Sequence, residues 1–186
     1  MVDHLKRTYT GAKVGIAFVY CSYKDPDQTP ENLTASLLRQ FAQRLPSLPE
    51  EIRDMYNQHN IEKTRPSLAE YLHLLHKVAR MFSQAFLLVD ALDECKEEDG
   101  ARRRLLAALR ELSAGVRLVV TSRWIPAIES DFSEALKLEI CADSEDVAQY
   151  VRSRVATNPR LMRHVGADPM LEGMISRKIA DNCHGM

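Results

Sequence analysis

A run of five apolar residues, Ala85–Val89, leads directly into Asp90, and two more carboxylates follow at Asp93 and Glu94. An uninterrupted apolar run of this length is typical of a strand that is buried on both faces of a parallel sheet. The carboxyl ends of parallel strands meet at one edge, where the ligands of open α/β sheets bind. The segment therefore predicts an α/β fold in which a buried strand delivers acidic side chains to a ligand-binding edge.

Three other segments have the pattern of strands. Val14–Cys21 is almost entirely apolar, Arg117–Thr121 is a short apolar run, and Ala135–Ile140 alternates apolar and polar residues. The segments between them carry apolar residues at helical spacing, and the chain from about residue 143 onward is predicted to be helical. Strands that alternate with helices indicate a mainly parallel sheet flanked by helices.

Two helix starts are marked by capping residues. Thr29 precedes Pro30 and Glu31, which places a capping hydroxyl, a proline and an acid in the order that a helix N-terminus favours. Ser67 and Glu70 have the spacing of a capping box, in which each side chain bonds the other's backbone N–H. We therefore expect helices to begin at these two points.

Composition excludes several classes of protein. The chain has 186 residues, enough for one domain, with 25 basic and 26 acidic residues and a net charge of −1. That balance gives no electrostatic reason to expect nucleic acid or an anionic membrane as a partner. The N-terminus has no apolar signal core, and no apolar run approaches the roughly 20 residues that span a bilayer. We therefore expect a cytoplasmic protein.

The four cysteines are far apart in the sequence and form no C-x-x-C pair: Cys21, Cys95, Cys141 and Cys183. This spacing indicates reduced thiols rather than a zinc site or a disulfide framework.

Two of the predicted strands end in groups that suit phosphate chemistry. Asp90 would bind Mg²⁺, directly or through a water, because this cation prefers carboxylate oxygen and keeps much of its hydration. Asp93 or Glu94 would orient or deprotonate an attacking water. Arg123, just after the Arg117–Thr121 strand, would contact a terminal phosphate through its planar donor fork. If the two strands are neighbours, these groups meet at one edge of the sheet.

The sequence contains no G-x-x-x-x-G-K-[ST] phosphate loop. Such a loop supplies most phosphate binding through an array of backbone N–H groups. We therefore expect weak or absent nucleotide binding by these 186 residues alone.

At these residues the sequence resembles the NACHT class of STAND nucleoside triphosphatases, and more closely the nephrocystin-like N-terminal module of large fungal proteins with ankyrin or other repeats. F-L-L-V-D-A-L-D-E-C is similar to the extended Walker B segment of that family, and L-V-V-T-S-R-W-I-P is similar to its sensor segment. F-V-Y-C-S-Y-K-D, followed by T-P-E-N-L-T-A-S-L-L-R-Q-F, is similar to the preceding strand and helix. The resemblance extends over nearly the whole chain, 1–186, with the segments in the family's order.

The resemblance implies a P-loop NTPase-like sheet that acts as an ATP- or GTP-driven oligomerisation switch in signalling, with Mg²⁺ as cofactor. It also implies a first strand and a phosphate loop upstream of a segment like Val2–Leu5, so we expect this chain to begin inside the next helix and to lack that strand. The Ala135–Ile140 strand would then lack its neighbour, which favours association with further copies or with intact NACHT relatives. On this interpretation the chain is a partial module with little or no hydrolytic activity.

Three hypotheses stay open at this point. The first is the partial NACHT-type module, whose function belongs to a longer protein. The second is a non-enzymatic interaction scaffold that assembles with intact relatives. The third is an unrelated metal-dependent hydrolase that uses Asp90, Asp93 and Glu94 as its metal cluster.

Overall fold

The structure, a computed structural model, describes residues 1–9, 13–95, 97, 100–112, 115–140 and 144–182. The chain divides into two compact units, Met1–Asp131 and Phe132–Met186. The first unit contains six helices and three strands among its described residues: α1 (Val2–Thr8), β1 (Val14–Tyr20), α2 (Pro30–Ala42), α3 (Glu50–Glu62), α4 (Leu68–Ala79), β2 (Gln84–Asp90), α5 (Ala101–Glu111), β3 (Val116–Val120) and α6 (Pro126–Asp131). The second unit contains α7 (Ser144–Thr157), α8 (Pro159–Ala167) and α9 (Leu171–Asn182).

The described strands form one parallel sheet in the order β1-β2-β3. The first pair runs from Val14 opposite Gln84 to Tyr20 opposite Asp90. The second pair ends with Val89 opposite Val120. The prediction of an α/β fold with a mainly parallel sheet flanked by helices is confirmed. The second and third strands are neighbours, which is the condition under which the predicted site residues meet.

Side chains on the two faces of β1 meet different helices. On one face, Ile16 packs with Phe86 and Leu88, and Val2 and Leu5 of α1 pack against this cluster. On the other face, Gly15 lies so close to Phe41 of α2 and to Phe82 that an added Cβ would be 2.7 Å from the first ring and 2.8 Å from the second. Because side chains alternate along a strand, the odd-numbered residues of β1 share this second, closely packed face.

Both predicted helix starts are confirmed. The Thr29 hydroxyl accepts the N–H of Asn32 at 3.1 Å, and Pro30 occupies the first turn of α2. Ser67 and Glu70 form the complete capping box of α4. Among the described residues, no helix combines the length and the apolar character that a membrane crossing requires.

Two glutamine side chains cover the outer edge of β1. The amide of Gln40 accepts the N–H of Phe18 at 3.1 Å and donates to its carbonyl at 2.7 Å. The amide of Gln28 donates to the carbonyl of Tyr20 and accepts the N–H of Ser22, both at 2.8 Å. These contacts satisfy backbone groups that an edge strand would otherwise leave open to pairing with another chain.

The second unit is built on a row of valines from α7. Val147, Val151 and Val155 are buried, and partly buried residues of α8 and α9 pack against them. Within the predicted helical region, α8 is a separate helix, and Asn158 caps it by accepting the N–H groups of Arg160 and Leu161. Residue 143, where that predicted region begins, lies outside the described residues.

The prediction of a strand at Ala135–Ile140 is wrong. Residues 136–140 belong to no helix or strand, and Leu136, Leu138 and Ile140 are each 72% exposed or more. Alternation of apolar and polar residues is a local signal, whereas a strand also needs a neighbour that completes its ladder of hydrogen bonds. No described strand pairs with residues 136–140.

Candidate functional site

The carboxyl ends of β2 and β3 place the predicted acidic residues beside Thr121. The ladder between these strands continues past β3, because the N–H of Thr121 donates to the carbonyl of Val89 at 2.9 Å. On the other side of β2, the N–H of Cys21 donates to the carbonyl of Asp90 at 2.9 Å. Asp90 is therefore held in the middle of the edge, between the residues that follow β1 and β3.

The chain turns sharply immediately after Asp90. Ala91 has φ 54 and ψ 50, a left-handed conformation that is costly for a residue with a Cβ atom. Thr121 holds this turn, since its hydroxyl oxygen accepts the N–H of Ala91 and its carbonyl accepts the N–H of Leu92, both at 2.9 Å. A single 3₁₀ turn, Leu92–Glu94, follows and carries the other two acidic residues.

Thr121 also contacts the predicted metal ligand. Its hydroxyl donates to Oδ1 of Asp90 at 2.5 Å, so one carboxylate oxygen is oriented by the neighbouring strand. The second oxygen, Oδ2, has no hydrogen bond to any described residue. Thr121 has no predicted role from the sequence, although its position at the end of an apolar strand was a usable signal.

Asp93 and Arg123 form an ion pair. Oδ2 of Asp93 accepts from Nε of Arg123 at 2.5 Å, and Oδ1 accepts the backbone N–H of the same residue at 3.1 Å. The Asp93 side chain is 4% exposed and the Arg123 side chain is 70% exposed. Burial alone would raise the pKa of Asp93, but the hydrogen bonds from Arg123 outweigh it and lower that pKa. The hydrogen bond to Asp93 in turn raises the pKa of Arg123.

The four predicted site residues lie at this one edge. Of these four, Asp93 and Arg123 are bonded directly to each other. The side chain of Glu94 is half-buried and makes no hydrogen bond or ion pair with any described residue. Arg123 uses its backbone N–H and its Nε for Asp93, so its two terminal nitrogens remain available within the described part of the chain. Both carboxylate oxygens of Asp93 thus already accept hydrogen bonds from Arg123, whereas the carboxylate of Glu94 is available to accept one.

The sole tryptophan is next to Arg123. Trp124 is 76% exposed, and its ring N–H donates to Oε2 of Glu129 at 2.9 Å. Its position makes the indole a natural spectroscopic reporter for this edge.

Two cysteines lie beside this edge. Cys21 and Cys95 are buried thiols with no disulfide between them. A hydrogen bond with the Cys95 side chain and burial raise the pKa of Cys21, while the interaction with Cys21 lowers the pKa of Cys95. The cysteines at positions 141 and 183 lie outside the described residues.

Two clefts lie elsewhere in the first unit. One, of about 660 Å³, lies beside β1 and α2 and includes Lys6, Gln28 and Gln40 in its lining. Another, of about 860 Å³, is lined mainly by residues of α2 and α3 and of the connections at their ends. The described residues contain no group of three or more histidine, cysteine, aspartate or glutamate side chains that could enclose a metal ion. A metal at the β2–β3 edge would therefore need ligands beyond the protein side chains.

Residues 1–123 match the protein-family model described as Nephrocystin 3, N-terminal. The match includes all three described strands and ends at Arg123. It confirms the nephrocystin-like part of the resemblance. No curated protein matches the chain.

Proposed function

The chain belongs to the nephrocystin 3 N-terminal family, and on that premise we propose that it forms part of a NACHT-type nucleoside triphosphatase module. In this proposal the carboxyl ends of β2 and β3 handle Mg²⁺ and the terminal phosphate of ATP or GTP. The main support is the parallel pairing of these strands, which brings Asp90, Asp93, Glu94 and Arg123 to one edge of the sheet. Family membership also favours this function over an unrelated metal-dependent hydrolase.

Asp90 is the proposed ligand of Mg²⁺. The donor chemistry fits, because Mg²⁺ is usually held by one or two carboxylates together with waters and substrate phosphates rather than by a protein cage. The hydrogen bond from Thr121 orients one oxygen of Asp90 and leaves the other without a described partner. Bound there, Mg²⁺ would neutralise negative charge on the phosphate oxygens during transfer.

Glu94 is the proposed acceptor that orients the attacking water. The sequence left Asp93 and Glu94 as alternatives, and the hydrogen bonds in the structure favour Glu94. Both oxygens of Asp93 are occupied by Arg123, so Asp93 would have to break an ion pair before it could accept from water. Glu94 has no such partner among the described residues.

Arg123 is the proposed phosphate contact, and Asp93 is its positioning residue. The two bonds to Asp93 fix the backbone and the Nε of Arg123, while its two terminal nitrogens make no hydrogen bond to a described residue. A guanidinium held in this way can still bind a phosphate oxygen pair through its fork of terminal N–H groups.

Nucleotide binding by these 186 residues alone is expected to be weak. The sequence contains no glycine-rich phosphate loop, so binding would depend on a few charge-assisted contacts at the edge. Such contacts support a dissociation constant of roughly a millimolar. Measurable hydrolysis is not expected without a phosphate loop.

A titration of the Trp124 fluorescence tests this proposal. Mg-ATP or Mg-GTP should change the emission of the wild-type chain with a midpoint of roughly a millimolar. The response should weaken strongly in Asp90→Asn and Arg123→Gln. Arg103→Gln, which removes an exposed arginine from α5, is the matched control and should behave as the wild type. An equal response in all four proteins, or rapid hydrolysis by the wild type, would contradict the proposal.

A second candidate function, association between copies of the chain, is supported by the 136–140 segment. Its row of exposed apolar residues, Leu136, Leu138 and Ile140, has the alternation that pairs strands across an interface. We propose that the same segment of a second copy pairs with it. Sedimentation velocity should then show concentration-dependent dimers that Leu138→Lys abolishes and Leu48→Lys, at another exposed leucine, leaves intact. A monomer at all concentrations would refute this association.

A further inference from the structure

The helix α3 stands apart from the core of the first unit. None of its 13 residues is buried, whereas a helix of a globular protein normally buries one apolar face. Polar contacts hold it to α4 instead. Glu51 forms an ion pair with Lys77, and Nε2 of His59 donates to Oε1 of Glu70 at 3.0 Å. The helix is therefore fixed in place without closing the space between itself and α2.

That space is a cleft with an apolar interior. Its volume is about 860 Å³, within the range of about 300–1,000 Å³ that is typical of small-molecule sites. Leu38 and Ala42 line it from α2, and Ile52 and Met55 line it from α3, in each case at helical spacing. The connection between the two helices adds further apolar side chains: Leu45, Pro46 and Leu48.

The rim of the cleft is cationic. Arg39 on α2 and both Lys63 and Arg65 after α3 border it, and none of the described residues that line it is acidic. These three side chains are exposed and make no hydrogen bond or ion pair within the described part of the chain. His59 is already engaged, because its Nδ1 lies 2.7 Å from the Thr64 hydroxyl and its Nε2 is bonded as described above. The groups left for a ligand are thus three positive charges.

We propose that this cleft binds a fatty carboxylate, which is an alkyl chain that ends in a carboxylate group. The alkyl chain would lie between α2 and α3, and the carboxylate would pair with the cations at the rim. Charge complementarity favours this ligand over a neutral or cationic amphiphile. A guanidinium such as that of Arg39 or Arg65 also matches the two oxygens of a carboxylate with two N–H groups.

The two parts of the ligand would contribute in different ways. Each CH₂ group that is fully buried strengthens binding by about fourfold, so the alkyl chain would provide most of the affinity. An exposed ion pair contributes only about two- to fivefold, so the carboxylate would provide selectivity. The residues that line the cleft do not include any of 90–94 or 121–124. The proposal therefore does not rest on nucleotide binding at the β2–β3 edge, and either can fail without the other.

Titration of the ¹⁵N-labelled chain with sodium dodecanoate, below the concentration at which it forms micelles, tests this proposal. The amide signals of the cleft residues on α2 and α3 should shift and saturate, with a midpoint of roughly 10–100 μM. The emission of Trp124, which reports on the β2–β3 edge, should not change. Decanoate, shorter by two CH₂ groups, should bind about tenfold more weakly. Dodecyltrimethylammonium has the same chain with a positive head group and should bind at least about fivefold more weakly than dodecanoate.

Two pairs of substitutions separate the cleft from the rest of the surface. Lys63→Gln together with Arg65→Gln should weaken dodecanoate binding about fivefold or more. Arg103→Gln together with Arg104→Gln removes two exposed cations from α5 and is the matched control, which should bind as the wild type does. Met55→Glu places a negative charge inside the cleft and should abolish binding. Because α3 has no buried residue, this variant should keep the amide spectrum of the sheet.

Several results would overturn the proposal. These are equal binding of dodecanoate and dodecyltrimethylammonium, shifts spread over the whole chain, and no saturable shift up to about 1 mM dodecanoate. Equal weakening by the two pairs of substitutions would also overturn it. If the cleft signals instead shift with protein concentration in the absence of dodecanoate, a second copy of the chain covers the cleft, and the proposal is again wrong.

Discussion

Gly15→Ala should destabilise the first unit, because the sheet and α2 leave no room for a methyl group. A Cβ at position 15 would lie 2.7 Å from Phe41 and 2.8 Å from Phe82. Ordinary carbon contacts begin at about 3.5 Å, so the rings would have to move by about 0.7 Å. Phe41 is fully buried and Phe82 nearly so, and the two rings pack on each other with centroids 5.5 Å apart. Neither ring can move without disturbing the other.

The size of the expected loss in the free energy of unfolding follows from two opposing effects. Overpacking of a filled core costs about 1–3 kcal/mol. Replacement of glycine by alanine in an unstrained backbone stabilises by about 0.4–1 kcal/mol through the unfolded chain. The net expectation is a loss of about 1–2 kcal/mol in the free energy of unfolding.

Urea unfolding followed by the NMR amide signals of β1 and β2 measures this loss for the first unit itself. The urea concentration at the midpoint of unfolding should fall, while the slope of the unfolding free energy against urea concentration should stay unchanged. Gly173→Ala in α9 is the control for the type of substitution, since nothing lies within 4 Å of its Cβ position. Gly173→Ala should stabilise the second unit by about 0.5–1 kcal/mol through helix propensity, as measured from the amide signals of α9. Phe82→Leu should partly relieve the cost of Gly15→Ala. A Gly15→Ala protein as stable as the wild type would refute the close packing described for this face of the sheet.

Three further perturbations test the edge and the backbone. Asp93→Asn should destabilise at neutral pH. Because the pKa of Asp93 is lowered in the folded protein, the advantage of the wild type should shrink progressively as the pH falls below about 4 and through the folded-state pKa. In urea unfolding, an advantage that stays undiminished from about pH 5 to about pH 3 would contradict the role of the carboxylate. Thr121→Val removes the hydroxyl that bonds both Asp90 and Ala91, and should lower the free energy of unfolding by about 1–3 kcal/mol. Thr121→Ser keeps a hydroxyl and should restore most of that stability. Equal losses in both variants would show that the hydroxyl is not responsible. Lys63→Gly should stabilise the first unit by about 0.5–1 kcal/mol, because Lys63 ends α3 in a left-handed conformation with φ 56. Lys63→Ala should give no such gain. A gain for alanine as large as for glycine would contradict the left-handed cap.

The elements that could be predicted from the sequence are those whose signal is local and agrees with the tertiary structure. The apolar run before Asp90 is buried on both faces, as a central strand requires. The Ser67–Glu70 capping box forms because both of its partners lie within one turn of the chain. Residues 135–140 carry an equally local signal, but a strand forms only where another strand pairs with it, and sequence alternation does not report that condition.

The sequence predicted which residues lie at the carboxyl ends of β2 and β3, but not which of them are in contact. Asp93 and Glu94 are neighbours with the same chemistry, and only the 3₁₀ turn decides that Asp93 bonds Arg123. The bond between Asp93 and Arg123 also depends on the parallel pairing of β2 with β3. Such contacts join residues far apart in the sequence, so spacing rules cannot find them.

Chemical-shift mapping is the most direct measurement of the central claim, that the carboxyl ends of β2 and β3 bind Mg²⁺ and the phosphates of a nucleotide. The ¹⁵N-labelled chain would be titrated with Mg-ATP, and with Mg²⁺ alone as the reference. We expect weak, saturable shifts of the amide signals of residues 90–94 and 121–124. These shifts should disappear in Asp90→Asn. Shifts confined to the clefts beside α2, or no shift at these residues with ATP in large excess, would contradict this claim.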